Sequence, residues 1–238
     1  MASLGVILGI KAIIIEKPLA TNVAEASALL AEADSKNIEV VVNYSRRFAE
    51  SHHRIKKQIL EGEIGEIIAI NGAYSKGILH NGSHWFDLVR WLVGEIAEVE
   101  AWDSCVPPAQ DPTCHVRVRF NTGVQGFLVG IDANQFSIFE LDIIGTLGRL
   151  RIKDSGHQVE YCQVKESAYY KGYFALGMPK FNQAGFKDVA LRLIENTVQI
   201  LNSESISLCS GSDGLIALKI SEMVCRSLAE KKRLNINY

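Results

Sequence analysis

A run of apolar, mostly β-branched residues, Ala12-Ile13-Ile14-Ile15, ends abruptly in Glu16-Lys17-Pro18. Such a run fits a strand covered on both faces, as in a parallel sheet. In open sheets of that kind the working residues stand just beyond the carboxyl ends of the strands, where Glu16 and Lys17 fall. Pro18 cannot continue the ladder and biases Lys17 toward an extended backbone. Thr21 or Asn22 is placed to cap a following helix. Taken alone, the segment reads as a surface lysine at a strand end.

From Thr21 the apolar residues Val23, Ala26, Leu29, Leu30 and Ala33 recur at helical spacing, to about Asn37. Ile38–Val42 is a second β-branched strand. Strand, helix, strand is a βαβ unit with a right-handed crossover. A polar, basic turn follows at 43–48, then a helix carrying Ile55, Ile59 and Leu60, closed by Gly62 and Gly65. Residues 66–74 alternate as a strand, and Trp85, Leu88, Val89, Trp91 and Leu92 form an apolar helix ending at Gly94.

Thereafter the period changes to two. Strands are expected over 99–104, 113–120, 124–131, 136–145, 149–153 and 158–165, with a hairpin at Asn121-Thr122-Gly123. The stretch 167–185, rich in Tyr, Phe and Gly, reads as irregular, and helices over 187–201 and 212–232 close the chain. The fold class is therefore α/β at the start and α+β for the remainder: an open, mainly antiparallel sheet covered by helices on one face. The units are expected at 1–43 and 44–238.

The net charge of −2 over 238 residues gives no electrostatic case for nucleic acid or an anionic membrane surface. Five scattered cysteines without a C-x-x-C pair suggest neither a disulfide framework nor a zinc site, and favour a reducing cytoplasm. The apolar run from Leu4 to Ile15 resembles a signal h-region, but no basic residue precedes it and Lys11 interrupts it. No apolar run approaches the roughly 20 residues that span a bilayer.

The densest cluster of chemistry-bearing residues is 76–87, with His80, Asn81, His84 and Asp87 at the start of the apolar helix. Near Asn81 or Gly82 as helix start, His84 and Asp87 share a face. Three readings compete. The histidines cap the helix; or His80, His84 and Asp87 bind a metal, although their spacing is no recognised zinc signature; or the histidines are acid/base groups facing a hydroxyl, with Lys17 nearby.

Glu16-Lys17-Pro18, then Asn43-Tyr44-Ser45-Arg46-Arg47-Phe48, then Glu61-Gly62-Glu63-Ile64-Gly65, then Gly82-Ser83-His84-Trp85-Phe86-Asp87, then Gly145-Thr146-Leu147-Gly148, run in one order along the chain. That series resembles the Gfo/Idh/MocA family, the glucose–fructose oxidoreductase and inositol dehydrogenase relatives. The resemblance implies a Rossmann domain followed by an α+β domain, and oxidation or reduction of a sugar or nucleotide-sugar hydroxyl with NAD or NADP. The family's lysine, which contacts substrate and nicotinamide, maps onto Lys17, and its histidine onto His84. The aspartate four residues before that histidine is replaced by His80. Lys17, His84 and His80 are thus the catalytic candidates, with Glu16, Lys17 and Pro18 facing the cofactor. Arg46, Arg47, Asn81, Asp87 and Tyr170 are expected to face the sugar, Tyr170 with its aromatic neighbours Tyr169 and Tyr173. The resemblance also implies a homodimer or higher oligomer through the antiparallel sheet.

One family feature has no counterpart. No G-x-G-x-x-G follows a strand; Gly5 and Gly9 precede the Glu-Lys-Pro strand at the wrong spacing. Residues 1–43 match only the last βαβ unit of a Rossmann domain. The expectation is a truncated form, inactive or cofactor-deficient by itself, which does not bind NAD(P) alone. The alternative is a non-catalytic dimerisation or binding domain that retains the fold.

Overall fold

The computed structural model describes residues 9–103, 110–183 and 186–238. The beginning of the Leu4–Ile15 run, Gly5, Ser104 and Cys105 lie outside the described residues. Strand β1 (Ala12–Glu16), helix α1 (Val23–Ser35) and strand β2 (Glu39–Asn43) form the expected βαβ unit. β1 and β2 are parallel, with Ile13 opposite Val40 and Glu16 opposite Asn43. Asn22 caps α1, its Oδ1 accepting from the Glu25 amide at 2.9 Å.

A 3-10 turn (Ser45–Phe48) leads into α2 (Glu50–Leu60) and strand β3 (Ile67–Tyr74). A single π-helical turn, Gly77–Gly82, then opens directly into α3 (Ser83–Val93). Strands β4 (Ile96–Asp103), β5 (Cys114–Phe120), β6 (Gln125–Gly130), β7 (Phe139–Gly145), β8 (Gly148–Lys153) and β9 (Gln158–Glu166) follow. The remainder is β10 (Phe174–Leu176), β11 (Lys180–Gln183), α4 (Val189–Leu201), α5 (Gly211–Glu230) and β12 (Leu234–Asn235).

The large sheet has the order β10-β9-β8-β7-β3-β6-β5-β4-β12, with β11 also on β9. Every pairing in it is antiparallel except β3 with β6. β5 shows why alternation was legible: Cys114, Val116, Val118 and Phe120 are buried, and the residues between them are partly exposed. The expected hairpin joins β5 to β6, closed by the Gly123 amide on the Phe120 carbonyl at 2.9 Å. The stretch expected to be irregular holds β10 and β11. Their backbones pair with β9 while Phe174, Leu176 and Phe181 stay exposed, so burial wrote no period into their sequence.

Helix α3 lies against the inner face of the sheet. Trp85 packs where Gly72 of β3 carries no side chain; a Cβ there would stand 2.2 Å from Trp85 Nε1. Trp85, Phe86 and Leu88 are buried with Ile70, Tyr74, Phe120 and Phe139 in one core. A second core joins α1 and β2 to the 3-10 turn and α4, through Val41, Val42, Phe48 and Leu193. α5 belongs to both: Ala217 and Leu218 enter the second core, Ile220 and Val224 the first. The βαβ unit is thereby fixed against the sheet domain, and the carboxyl ends of β1 and β2 face the π-helical turn.

Candidate active site

Because β1 and β2 are parallel and in register, Glu16 and Asn43 emerge side by side, and Asn43 Nδ2 donates to Glu16 Oε1 at 2.7 Å. The next residue, Lys17, precedes Pro18 through a cis peptide bond. Its Nζ crosses to the π-helical turn, donating to the His80 carbonyl at 2.8 Å and meeting His80 Nδ1 at 3.2 Å. An ammonium only donates, so Nδ1 accepts and the His80 proton sits on Nε2. Asp111 holds the turn in shape, its carboxylate accepting from the amides of Leu79 (2.8 Å) and His80 (3.0 Å). Gly77 has φ +81°, and a Cβ on it would fall 2.1 Å from the Asp111 carboxylate. Ser83 Oγ donates to the same His80 carbonyl at 3.0 Å.

His84 lies in the first turn of α3, its ring edge-on to Tyr44 with centroids 5.3 Å apart. Its Nδ1 is buried and has no hydrogen-bond partner among the described residues. Burial, then the charges of Arg46 and Lys17 and the neighbouring His80, hold the imidazole well below the usual histidine range. His84 is therefore neutral at pH 7, a hydrogen-bond acceptor whose charged form is disfavoured. Burial and Arg46 also lower Lys17, against Asp111 and Glu16. His80 is lowered by burial and by Lys17.

Arg46 completes the group. Its guanidinium lies 3.5 Å above the Phe139 ring, donates to the Ser155 carbonyl at 3.2 Å, and keeps a buried Nε with no partner among the described residues. Burial brings its pKa down to about 10.

Arg47 and Asp87, expected to face the sugar, do not reach the same cleft; both are buried beneath it. Arg47 Nε spans both Asp87 oxygens at 3.0 Å, its Nη2 pairs with Asp213 at 3.0 Å and its Nη1 donates to the Leu208 carbonyl at 3.1 Å. The inward sides of the 3-10 turn and α3 meet α5 there, and two carboxylates compensate one buried guanidinium. Asp87 is therefore turned away from His80 and His84. Among the described residues no three His, Cys, Asp or Glu side chains are placed to hold a metal.

Tyr170 is also elsewhere. β9 starts beside Ser155, at the cleft, and runs away from it; Tyr170 follows its far end, about 25 Å along the strand, and is exposed. Asn81 is half-buried beside His80, and Pro18 is exposed. Asp111 was missed by sequence reasoning, since no local period marks a carboxylate that caps a turn 31 positions upstream.

Residues 56–236 match the oxidoreductase family C-terminal alpha/beta domain of the Gfo/Idh/MocA proteins. The chain belongs to the Gfo/Idh/MocA oxidoreductase family. Its similarity to the myo-inositol 2-dehydrogenase of Thermotoga maritima is 22% identity over 254 residues, covering 95% of this chain and 73% of that protein. The structure of levoglucosan dehydrogenase with NADH and L-sorbose superposes with a TM-score of 0.79 at 19% identity, over 94% of this chain and 73% of that one. WlbA dehydrogenase from Bordetella pertussis, with NADH and UDP-GlcNAcA, gives 0.72 at 18% identity over 95% and 72%. The Gfo/Idh/MocA fold is thus shared across the βαβ unit and the sheet domain alike.

A dinucleotide's pyrophosphate needs a helix N-terminus with free amides and no competing anion. At the N-terminus of α1, Asn22 takes the Glu25 amide, Glu222 Oε1 takes the Val23 amide at 2.8 Å, and the Glu25 carboxylate accepts from Thr21 at 2.6 Å. The described residues do not fit a pyrophosphate there. No helix among them is long and apolar enough to cross a membrane.

Proposed function

We propose that this chain carries the sugar-binding and proton-transfer part of an NAD(P)-dependent oxidoreductase site that acts on a hydroxyl of a sugar or nucleotide-sugar. The observation that carries this reading is the Lys17–His80 bond, which brings the end of β1 to the turn that presents His84. A sugar hydroxyl in the cleft donates to neutral His84, and Lys17 orients the same oxygen. His84 is the proton acceptor because its ring is uncharged, while Lys17 already donates to His80. The imidazolium formed stands near Arg46 and Lys17, so it readily passes its proton on. Relatives of this chain support the sugar class: their names concern inositol, levoglucosan and a UDP-sugar acid.

By itself the chain is expected to hold the sugar and not the dinucleotide, because residues 1–43 match only the last βαβ unit of a Rossmann domain and no G-x-G-x-x-G phosphate loop follows a strand. Two measurements test this. Histidine-detected NMR with myo-inositol should show saturable shifts of the His84 ring, lost in Lys17→Met; no shift at saturating sugar would overturn the sugar site. Calorimetric titration with NADH should give no saturable heat, and micromolar binding would overturn the cofactor statement. A dimerisation or binding domain without chemistry is the second reading, favoured by the missing glycine-rich loop; sugar shifts confined to residues other than His84 would support it.

A further inference from the structure

We propose that Asp111 is a positioning residue of this site, which places the Lys17 ammonium at the substrate oxygen by fixing His80 from the opposite side. Its bearing on the substrate rests on the sugar-site reading above. The first four amides of a helix have no partner within it. In the helical run that starts at Gly77, one segment of three residues takes all four. The Gly77 amide donates to Thr113 Oγ1 at 3.0 Å and the Ile78 amide to the Pro112 carbonyl at 2.9 Å. The Leu79 and His80 amides donate to the two Asp111 oxygens at 2.8 and 3.0 Å. Left-handed backbone at Lys76 (φ +69°) and Gly77 (φ +81°) turns the chain into this arrangement, and the missing Cβ of Gly77 leaves the carboxylate room.

His80 is thereby held on both sides. Its amide is on Asp111, while its carbonyl and Nδ1 are on Lys17 at 2.8 and 3.2 Å. Of the three capping residues Asp111 alone is charged, and bonds to a carboxylate are stronger than those to a carbonyl or hydroxyl. It also takes the amide of the very residue that Lys17 binds, whereas Pro112 and Thr113 take amides two and three positions earlier. The charge acts in the same direction. Burial, then Arg46, lowers the Lys17 pKa, and burial, then Lys17, lowers that of His80, with Lys76 adding to it. The Asp111 carboxylate opposes both shifts, joined at Lys17 by Glu16, and so favours the ammonium that orients the hydroxyl.

Heteronuclear NMR of the full 238-residue chain reads the Lys17 ammonium and the His80 ring without any sugar. Asp111→Asn keeps the side-chain shape but sets an NH2 group against one of the two amides, donor against donor. Exchange of the Lys17 ammonium protons with water should quicken at least about tenfold, and the His80 Nδ1 resonance should move toward that of an unbonded imidazole nitrogen. Asp111→Glu, which keeps the carboxylate, should recover part of both. Thr113→Val removes the Gly77 cap from the same segment and should leave both signals in place. Myo-inositol should bind Asp111→Asn at least about tenfold more weakly than the unaltered chain. Unmoved Lys17 and His80 signals in folded Asp111→Asn would overturn the assignment. Equal changes in Thr113→Val would overturn it too, since the segment would then be a helix cap and no more, as would altered signals with unchanged inositol affinity. If Asp111→Asn does not fold, amide exchange in the unaltered chain decides: protected Leu79 and His80 amides support the assignment, and freely exchanging ones overturn it. Failure of myo-inositol to bind the unaltered chain would remove the sugar reading, and the Lys17 and His80 signals would still decide whether Asp111 positions Lys17.

Discussion

The Lys17 ammonium and the His80 imidazole, 63 positions apart, meet at 3.2 Å, and the same ammonium donates to the His80 carbonyl at 2.8 Å. That contact couples the titration of the two residues. Burial and the Lys17 charge both lower the His80 pKa, so Lys17→Met should raise it. Proton NMR titration of the His80 Cε1–H resonance measures the shift; an unmoved or lowered pKa contradicts the contact.

Arg47 is expected to be structural. Arg47→Ala leaves Asp87 buried without its partner, which costs on the order of 3–5 kcal/mol. Urea unfolding measures the loss. Arg47→Lys should recover little, because one ammonium cannot span both Asp87 oxygens and still reach Asp213.

Acid should destabilise the fold through His52. This side chain is fully buried, with Nδ1 at 3.1 Å from Ser51 Oγ, and burial followed by Arg46 and His53 pushes its pKa down to about 3. The unfolded chain takes up that proton near pH 6.5, so the stabilising contribution is complete above that value and declines as pH falls toward about 3. The slope from this one group is about 1.4 kcal/mol per pH unit at most. Denaturation midpoints between pH 6.5 and 4 should fall less steeply in His52→Gln; equal slopes would remove His52 as the cause.

Gly72 is fixed by packing rather than by backbone conformation. A Cβ there meets Trp85 Nε1 at 2.2 Å and the Glu140 carbonyl at 2.9 Å, so Gly72→Val forces α3 off the sheet. The expected loss is roughly 1–3 kcal/mol, with a change in Trp85 fluorescence, whereas unchanged fluorescence and stability would contradict the packing.

The outer face of the sheet exposes Phe127 and Val129 at its centre, flanked by the ion pairs Arg117–Glu100 and Arg149–Asp142. We expect this face to join two copies. Sedimentation should give a dimer, and Phe127→Asp a monomer with unchanged far-ultraviolet dichroism; a wild-type monomer would refute the interface.

The strands and helices were legible because burial leaves a period. β5 alternates, β1 and β2 are β-branched runs, and the α3 apolar residues recur at helical spacing. Lys17 at a strand end and His84 at a helix start were also legible, as positions. β10 and β11 were not, because their side chains are exposed and only their backbones pair.

By itself the sequence determined the kind and order of the elements, and which residues could do chemistry. Tertiary structure decided which of them meet. Of two adjacent arginines, Arg46 faces the cleft and Arg47 the interior, because the carboxylates that compensate Arg47 come from 40 and 166 positions away. Asp87 left the site for the same reason, Asp111 entered the supporting turn, and Tyr170 was carried to the far end of β9. Local period reports how a residue sits on its own strand or helix. A buried charge is tolerated only where distant partners converge on it, and that convergence exists only in the folded chain.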